Sequence, residues 1–387
     1  MVRTRTRSQG IDWVLLVLLL ALLAYGLLML YSATFYVGID FWTRQLIWVA
    51  LGLVGMVLLI FIPYGFWQRW AMPAMLATLG GLLFVLLFGE TILGAQRTIV
   101  GASVQPGVIA RLVAIIYIAT WLASKGTQLY QVRTGLIPFA VIVGIVAGLV
   151  ALQPDLSTAI LLTVTGLAMF FFAGGDPLQI LASVLMGGGS FALLAWQLPH
   201  ARGRLLDYLA ALKDPTQMPY HLHRAVMAIG EGGILGTGIG NGRMKFGYLP
   251  FPHTDSIFAV VGEEMGLIGA LLILAFFALL AYRGYRIALQ TPEPFGSLVA
   301  FGVTTMLITE ALLNIMVMVG LLPFTGTALP FFSYGGTEMI VALLGMGLLL
   351  SISRGRPKGE SRHGVLDRWW RNWRTHLSGS RRRAGAF

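Results

Sequence analysis

No cysteine occurs among the 387 residues, which excludes structural disulfides and thiolate metal sites. Charge is scarce as well: Asp, Glu, Lys and Arg make up 11% of the chain against 57% hydrophobic residues, where a soluble domain carries about 25% charged residues. No fixed-period repeat and no second soluble domain can be read, so solenoid and multi-domain architectures drop out. The 27 basic against 16 acidic side chains give a formal net charge of +11. That excess does not mark a nucleic-acid partner, because much of it sits in a C-terminal tail beside a membrane segment.

Long apolar runs are what the chain has in abundance. A helix needs about 20 mostly apolar residues to cross the hydrocarbon core, and ten such segments are centred near Leu20, Gly55, Leu82, Ile115, Val143, Thr163, Leu185, Ile268, Ile308 and Leu344. The runs are continuous rather than alternating with period two, which predicts helices and not the strands of a barrel. The expected fold class is an all-α polytopic membrane protein with about ten transmembrane helices. The first run, Val14 to Leu30, follows Arg3, Arg5 and Arg7 as a signal peptide would, but it is longer than a signal core and reads as an uncleaved helix.

Basic residues set the expected orientation. Arg69, Lys125, Arg133, Arg283 and Arg286 fall in short loops on the side of the N-terminus, and ten Lys and Arg follow Ser353. Both termini are therefore expected in the cytoplasm. Residues 199–254, between helices 7 and 8, form one large extracytoplasmic loop, long enough to be exempt from the positive-inside rule despite Arg202, Arg204, Lys213, Arg224, Arg243 and Lys245. The chain divides into a transmembrane domain, 1–353, and a basic Trp-rich cytoplasmic tail, 354–387. In the tail Leu366, Trp369, Trp370, Trp373 and Leu377 recur at helical spacing away from Arg368, Arg371 and Arg374, a pattern for lying on an anionic leaflet or docking a cytoplasmic partner.

Against this background the acids stand out, because an ionisable group inside a span is costly unless it meets a partner or a cavity. The stretch "HTDSIFAVVGEEMG", residues 253–266, holds Asp255, Glu263 and Glu264. Asp255 either caps a helix or stands at the external mouth of a membrane cleft. On a helix it shares a face with Ala259, Gly262 and Gly266, small residues that leave room for a neighbour or a cleft. Glu263 falls roughly 80° and Glu264 roughly 180° from it, so at least one of them meets a different helix. The preceding "GEGGILGTGIGNG" is a turning loop or a cradle of backbone N–H groups, and with no strand before it, it is not a dinucleotide fingerprint.

Other polar groups gather near the same side. Asp155 in "LQPDLSTA" caps the next helix or lines the same mouth. Arg97 and Arg111 are its basic counterparts, and Arg111, about a turn inside an apolar run, is expected to meet a carboxylate or a phosphate. "GLLPFTGTALPFFSYGG", 320–336, contains Ser333 and reads as a broken junction, tolerated where it is buried or lines a cavity. Glu310, Asn314 and Glu338 add polar groups beside it.

Together "LQPDLSTA", "GILGTGIG", "PHTDSIFAVVGEEMGLIG" and "GLLPFTGTALPFFSYGG" resemble, in order, the SEDS proteins of shape, elongation, division and sporulation, in general appearance most like RodA. The resemblance covers the membrane portion and not the tail. It implies a peptidoglycan glycosyltransferase of the bacterial cytoplasmic membrane, polymerising lipid II on the outer face for cell-wall elongation and cell shape, beside a class B penicillin-binding protein and other elongation or division machinery. It also implies that the family's essential acid is Asp255, in His253-Thr254-Asp255. Val108 stands where the family has Glu, Arg111 where it has Lys, and Tyr220-His221 and His223-Arg224 where it has Tyr-Gln and Gln-Ser. Glu338 is a candidate replacement for the missing acid.

The chemistry so implied needs one positioned base, Asp255, to take the proton of the acceptor 4-hydroxyl as it attacks. An α-linked donor giving a β-1,4 bond means inversion in a single displacement. Cations then stabilise the leaving pyrophosphate, for which Arg97, Arg111, Arg202 and Arg204 are the candidates, with Asp155, His253, Thr254, Glu263 and Ser333 as further substrate contacts. No organic cofactor is expected; a divalent cation, Mg or Mn, bridging Asp255 and a phosphate is an open option. Two rival readings stand beside this one: a flippase or transporter of lipid-linked precursors, and a non-catalytic scaffold for a penicillin-binding protein.

Overall fold

The computed structural model describes residues 10–88, 90–92, 95–98 and 105–355. The tail motif of 366–377 lies outside the described residues. In chain order the elements are α1 (Trp13–Thr34), α2 (Asp40–Phe61), α3 (Gly65–Phe88), a two-stranded antiparallel ribbon β1 (Glu90–Ile92) and β2 (Ala95–Thr98), α4 (Pro106–Lys125), α5 (Ile137–Leu152), α6 (Leu156–Phe172), α7 (Pro177–Gln197), α8 (Pro199–Lys213), α9 (Tyr220–Gly232), α10 (Ile257–Gln290), α11 (Pro294–Met318) and α12 (Gly336–Arg354). Each of the ten apolar runs is a helix. Eight are long and apolar enough to cross a membrane, α5 together with the π-helical turn Val132–Leu136 that leads into it; α6, with 17 residues, and α7, whose apolar part is Pro177–Leu193, are shorter. The chain is thus a multi-pass helical membrane protein.

Local sequence explains several boundaries. Asp12 caps α1 by accepting from the Leu15 N–H at 3.1 Å and also pairs with Arg283 on α10 at 2.5 Å, tying two helix ends together. Asp155 caps α6 through the Thr158 N–H at 3.3 Å. The centre of the bundle is formed by α11 and α12, which are buried on most sides. Small residues allow the close approaches: a Cβ on Gly347 of α12 would lie 2.9 Å from the Met56 carbonyl oxygen of α2, and one on Gly302 of α11 2.6 Å from the Met169 sulfur of α6.

Residues 199–254 are not an irregular loop, since they contain α8 and α9, and α8 is tied down where Tyr208 donates to the Leu321 carbonyl at 2.7 Å. The glycine-rich stretch after α9 answers a break in α10. At Gly266 the backbone of α10 turns to φ 63°, a left-handed conformation that interrupts the helical ladder. The freed groups pair with the loop: Leu267 and Ile268 N–H donate to the Gly233 and Ile234 carbonyls at 2.9 and 3.3 Å, and Thr237 and Gly238 N–H donate to the Glu263 and Glu264 carbonyls, both at 3.0 Å. A broken helix at membrane depth is tolerated when its backbone is satisfied in this way.

The small residues Gly262 and Gly266 therefore face a close-packed neighbour and not a cleft. A Cβ on Gly266 would sit 2.4 Å from the Gly236 nitrogen, whereas Gly233, also at positive φ, has open space. Gly233→Ala should lose only the torsional preference, about 1–2 kcal/mol. Gly266→Ala adds overpacking of about 1–3 kcal/mol, so it should unfold at a clearly lower temperature than Gly233→Ala in a detergent melt.

Candidate active site

Asp255 lies in the turn 251–256 that leads into α10, half-exposed, and its backbone is gripped at three consecutive carbonyls. The Tyr334 N–H donates to the His253 carbonyl at 2.8 Å, the Ser333 hydroxyl to that of Thr254 at 2.7 Å, and the Asn314 amide to that of Asp255 at 2.8 Å. One wall, made by the end of α11 and the junction 319–335, thus holds the whole His-Thr-Asp segment. The wall is itself braced. Asn314 also donates to the Thr327 carbonyl at 2.6 Å, Ser333 Oγ accepts from the Leu329 N–H at 2.8 Å, and Gln45, fully buried on α2, donates to the Ser333 carbonyl and accepts from the Gly335 N–H, both at 3.2 Å.

Backbone strain concentrates here. Phe251 and Phe331 have φ of 50° and 69°, torsions that a bulky residue adopts only when its surroundings over-determine them. The Asp255 carboxylate lies against Gly326, where a Cβ would come within 3.4 Å of Oδ2 and where φ is 72°. Two residues before that glycine, the ring of Phe324 carries His221 of α9 at 4.1 Å and the Arg204 guanidinium of α8 at 5.3 Å. The junction therefore seats an exposed cation of the insertion at Phe324 and the carboxylate at Gly326, two residues apart in the chain. Arg202, also exposed, lies 4.6 Å over Trp196.

Burial disfavours the charged form of both histidines beside the Asp255 turn, His253 and His221. Burial pushes the imidazole of His253, packed between Phe41 and Tyr334 with centroids 4.7 and 6.1 Å away, below its ordinary value. Burial, and secondarily the charge of Arg204, pulls His221 down to about 4.

Several expected ligand contacts turn out to be scaffold. Glu263 is buried and accepts from the Arg243 and Met244 N–H groups at 2.5 and 3.1 Å, so it fixes the glycine loop and does not face a substrate. Glu264 does likewise, with Lys245 at 2.6 Å, Ser32 Oγ at 2.6 Å and the Gly240 N–H at 3.0 Å. In that loop the Thr237, Gly238 and Gly240 N–H groups are given to α10, and those of Gly236 and Asn241 to the Gly232 and Gly238 carbonyls. Ser333 is buried on backbone groups, and Asp155 serves as the cap of α6. Arg97 falls on β2, where only the backbone is described.

Arg111 meets carboxylates, as its setting required. It is 3% exposed, with Nη1 2.6 Å from Glu310 Oε1 and Nη2 bonded to Glu338. Its charge is thus turned away from any pyrophosphate. Glu338 does occupy the role of a carboxylate partner to position 111, from α12 instead of α4. Glu310 lies one turn below Asn314 on α11, so this ion cluster sits directly under the bond to the Asp255 carbonyl. Gln45, His221, Ser256 and Lys245 are the residues that sequence reasoning missed at the site and its supports. Their signal is a polar or charged side chain in a span or beside the Asp255 turn.

Among the described residues no cluster of three His, Cys, Asp or Glu is arranged to hold a metal. A divalent cation here would rest on Asp255 together with phosphate oxygens and water, which suits Mg²⁺ and not a protein-only cage.

A family described as cell cycle protein, FtsW/RodA/SpoVE, matches residues 12–358. The chain belongs to this family. Its FtsW/RodA/SpoVE relatives include a probable peptidoglycan glycosyltransferase FtsW of Geobacter metallireducens, 38% identical over 359 residues that cover 90% of this chain and 96% of that one. The stage V sporulation protein E of Bacillus subtilis is 36% identical over 360 residues, covering 90% and 98%. Among solved structures, the rod shape determining protein RodA of Thermus thermophilus superposes with a TM-score of 0.69 at 28% identity, covering 91% of this chain and 99% of that one. A chain from a peptidoglycan synthase complex that coordinates polymerization and crosslinking superposes with a TM-score of 0.74 at 30% identity, covering 91% and 100%. Relatives named FtsW and SpoVE thus stand beside the RodA likeness within one fold.

Proposed function

We propose that this FtsW/RodA/SpoVE protein is a peptidoglycan glycosyltransferase that polymerises lipid II, with Asp255 as the general base. The observation that carries the mechanism is the triple hold on the carbonyls of 253–255, which fixes a half-exposed carboxylate at the mouth of the helical bundle. Preorganisation of this kind is what a positioned base requires. The acceptor 4-hydroxyl oxygen attacks the anomeric carbon of the donor while its proton passes to Asp255. The bond from that carbon to the phosphate oxygen breaks, and undecaprenyl pyrophosphate leaves with the electron pair. Arg204 and Arg202, exposed on α8, are the cations at hand for the departing charge. A bound divalent cation would supply further charge neutralisation at the pyrophosphate.

The distribution of Lys and Arg favours an extracytoplasmic Asp255 in the bacterial cytoplasmic membrane, with both termini inside. A class B penicillin-binding protein is the partner that such a polymerase calls for. One observation favours a second reading: the buried Arg111–Glu310–Glu338 cluster is the kind of intramembrane charge that a proton-coupled carrier also holds. Purified protein in liposomes with labelled lipid II, with and without the penicillin-binding protein, decides between them. Glycan strands are expected; transfer of labelled lipid between leaflets without any strands would overturn the polymerase in favour of the carrier.

A further inference from the structure

The turn that carries Asp255 is gripped from a second side, by a residue with no part in the reaction as written above. His221 Nε2, on α9, lies 2.6 Å from Ser256 Oγ, and that hydroxyl donates to the Pro250 carbonyl at 2.9 Å. A hydroxyl has one proton to give. With it directed to Pro250, the imidazole must supply the other proton, from Nε2 to Ser256 Oγ. Burial of the ring and the nearby Arg204 disfavour the cation, so the Nε2–H tautomer of the neutral ring is the one this bond selects.

The same imidazole rests on Phe324, two residues before the glycine that flanks the Asp255 carboxylate. His221 therefore touches the residue after Asp255 and the wall opposite it, and through Ser256 it closes the turn back to Pro250. Ser256 is fully buried, so no water competes for these bonds from outside. We infer that His221 is a positioning residue: through Ser256 it orients the Asp255 carboxylate, an assignment that rests on the glycosyl transfer proposed above. Helix α9 of the insertion thereby reaches the turn through the His221–Ser256 hydrogen bond.

If the ring only filled space, phenylalanine would serve equally well against Phe324. His221→Phe keeps the stacking surface and removes the donor, His221→Gln returns an N–H donor of similar reach, and Ser256→Ala removes the acceptor. In lipid II polymerisation His221→Phe and Ser256→Ala should each lower kcat roughly 10- to 100-fold, as a small misplacement of a reacting group does. KM should hold, the double variant should be no worse than either single, and His221→Gln should recover most of the rate.

Wild-type kcat in His221→Phe, a loss confined to KM, or losses that multiply in the double variant would overturn the assignment. Wild-type protein that forms no strands removes the glycosyl transfer and this role with it; active wild type with fully active variants removes this role alone. Should a variant fail to fold, ¹⁵N spectra of the histidines in the wild-type protein still decide. A protonated Nε2 for His221 at pH 7 is expected, and an Nδ1–H tautomer with a bare Nε2 overturns the assignment.

Discussion

Asp255→Asn removes strand formation from lipid II while leaving the fold in place. The substitution keeps the size of the side chain, and what holds the turn is the backbone carbonyls of 253–255, which the change does not touch. An amide cannot accept the proton of the attacking hydroxyl, so kcat should fall roughly 10²- to 10⁴-fold, the range of a general base. Asp255→Ala should behave alike. Gel separation of labelled strands measures the rate, and a detergent melt within a few degrees of wild type establishes that the fold survives. More than roughly a tenth of the wild-type rate in Asp255→Asn would mean that the proton leaves by another route.

Arg111→Ala should produce the largest loss of stability. Its guanidinium is the shared partner of Glu310 and Glu338, and Glu310 is nearly as buried as Arg111 itself, with side-chain exposures of 5% and 3%. Breaking a buried pair from one side costs about 3–5 kcal/mol because the remaining charge is left uncompensated. Glu338→Ser should cost less, since that side chain is 27% exposed and water can take its place beside Arg111. Val108 lies three residues before Arg111 on α4, within side-chain reach on the same helical face. Val108→Glu should therefore restore much of what Glu338→Ser loses, in both melting temperature and strand yield. Failure of that rescue would show that the acid must come from α12 and not merely from any neighbour of Arg111.

The ten helices were legible because an apolar run of about 20 residues has few other fates. Asp255 could be read only as a candidate: three acids at the start of an apolar run each need a cap, a partner or a cavity. Its holders were not legible. Gln45 and Asn314 are single polar residues in apolar helices, and which carbonyls they meet is decided by how α2 and α11 pack against the junction 319–335. Glu263 and Ser333 show the converse failure. A carboxylate or hydroxyl next to a glycine-rich turn satisfies a ligand or a backbone group equally well on paper, and only the fold reveals that the backbone has claimed it. Arg111 falls between: its need for an acid was readable from its depth, but the two acids lie 199 and 227 positions away in the chain.

The break in α10 changes what counts as one piece of this molecule. Of the four backbone hydrogen bonds shared with the stretch after α9, two use the Glu263 and Glu264 carbonyls before the kink and two use the Leu267 and Ile268 N–H groups just beyond it. The insertion 199–254 is thereby latched to α10 on both sides of the break, so that it bridges the stub following Asp255 and the rod beyond. A displacement of the insertion is therefore shared between the two segments of α10 at the kink, where the helical ladder is already open.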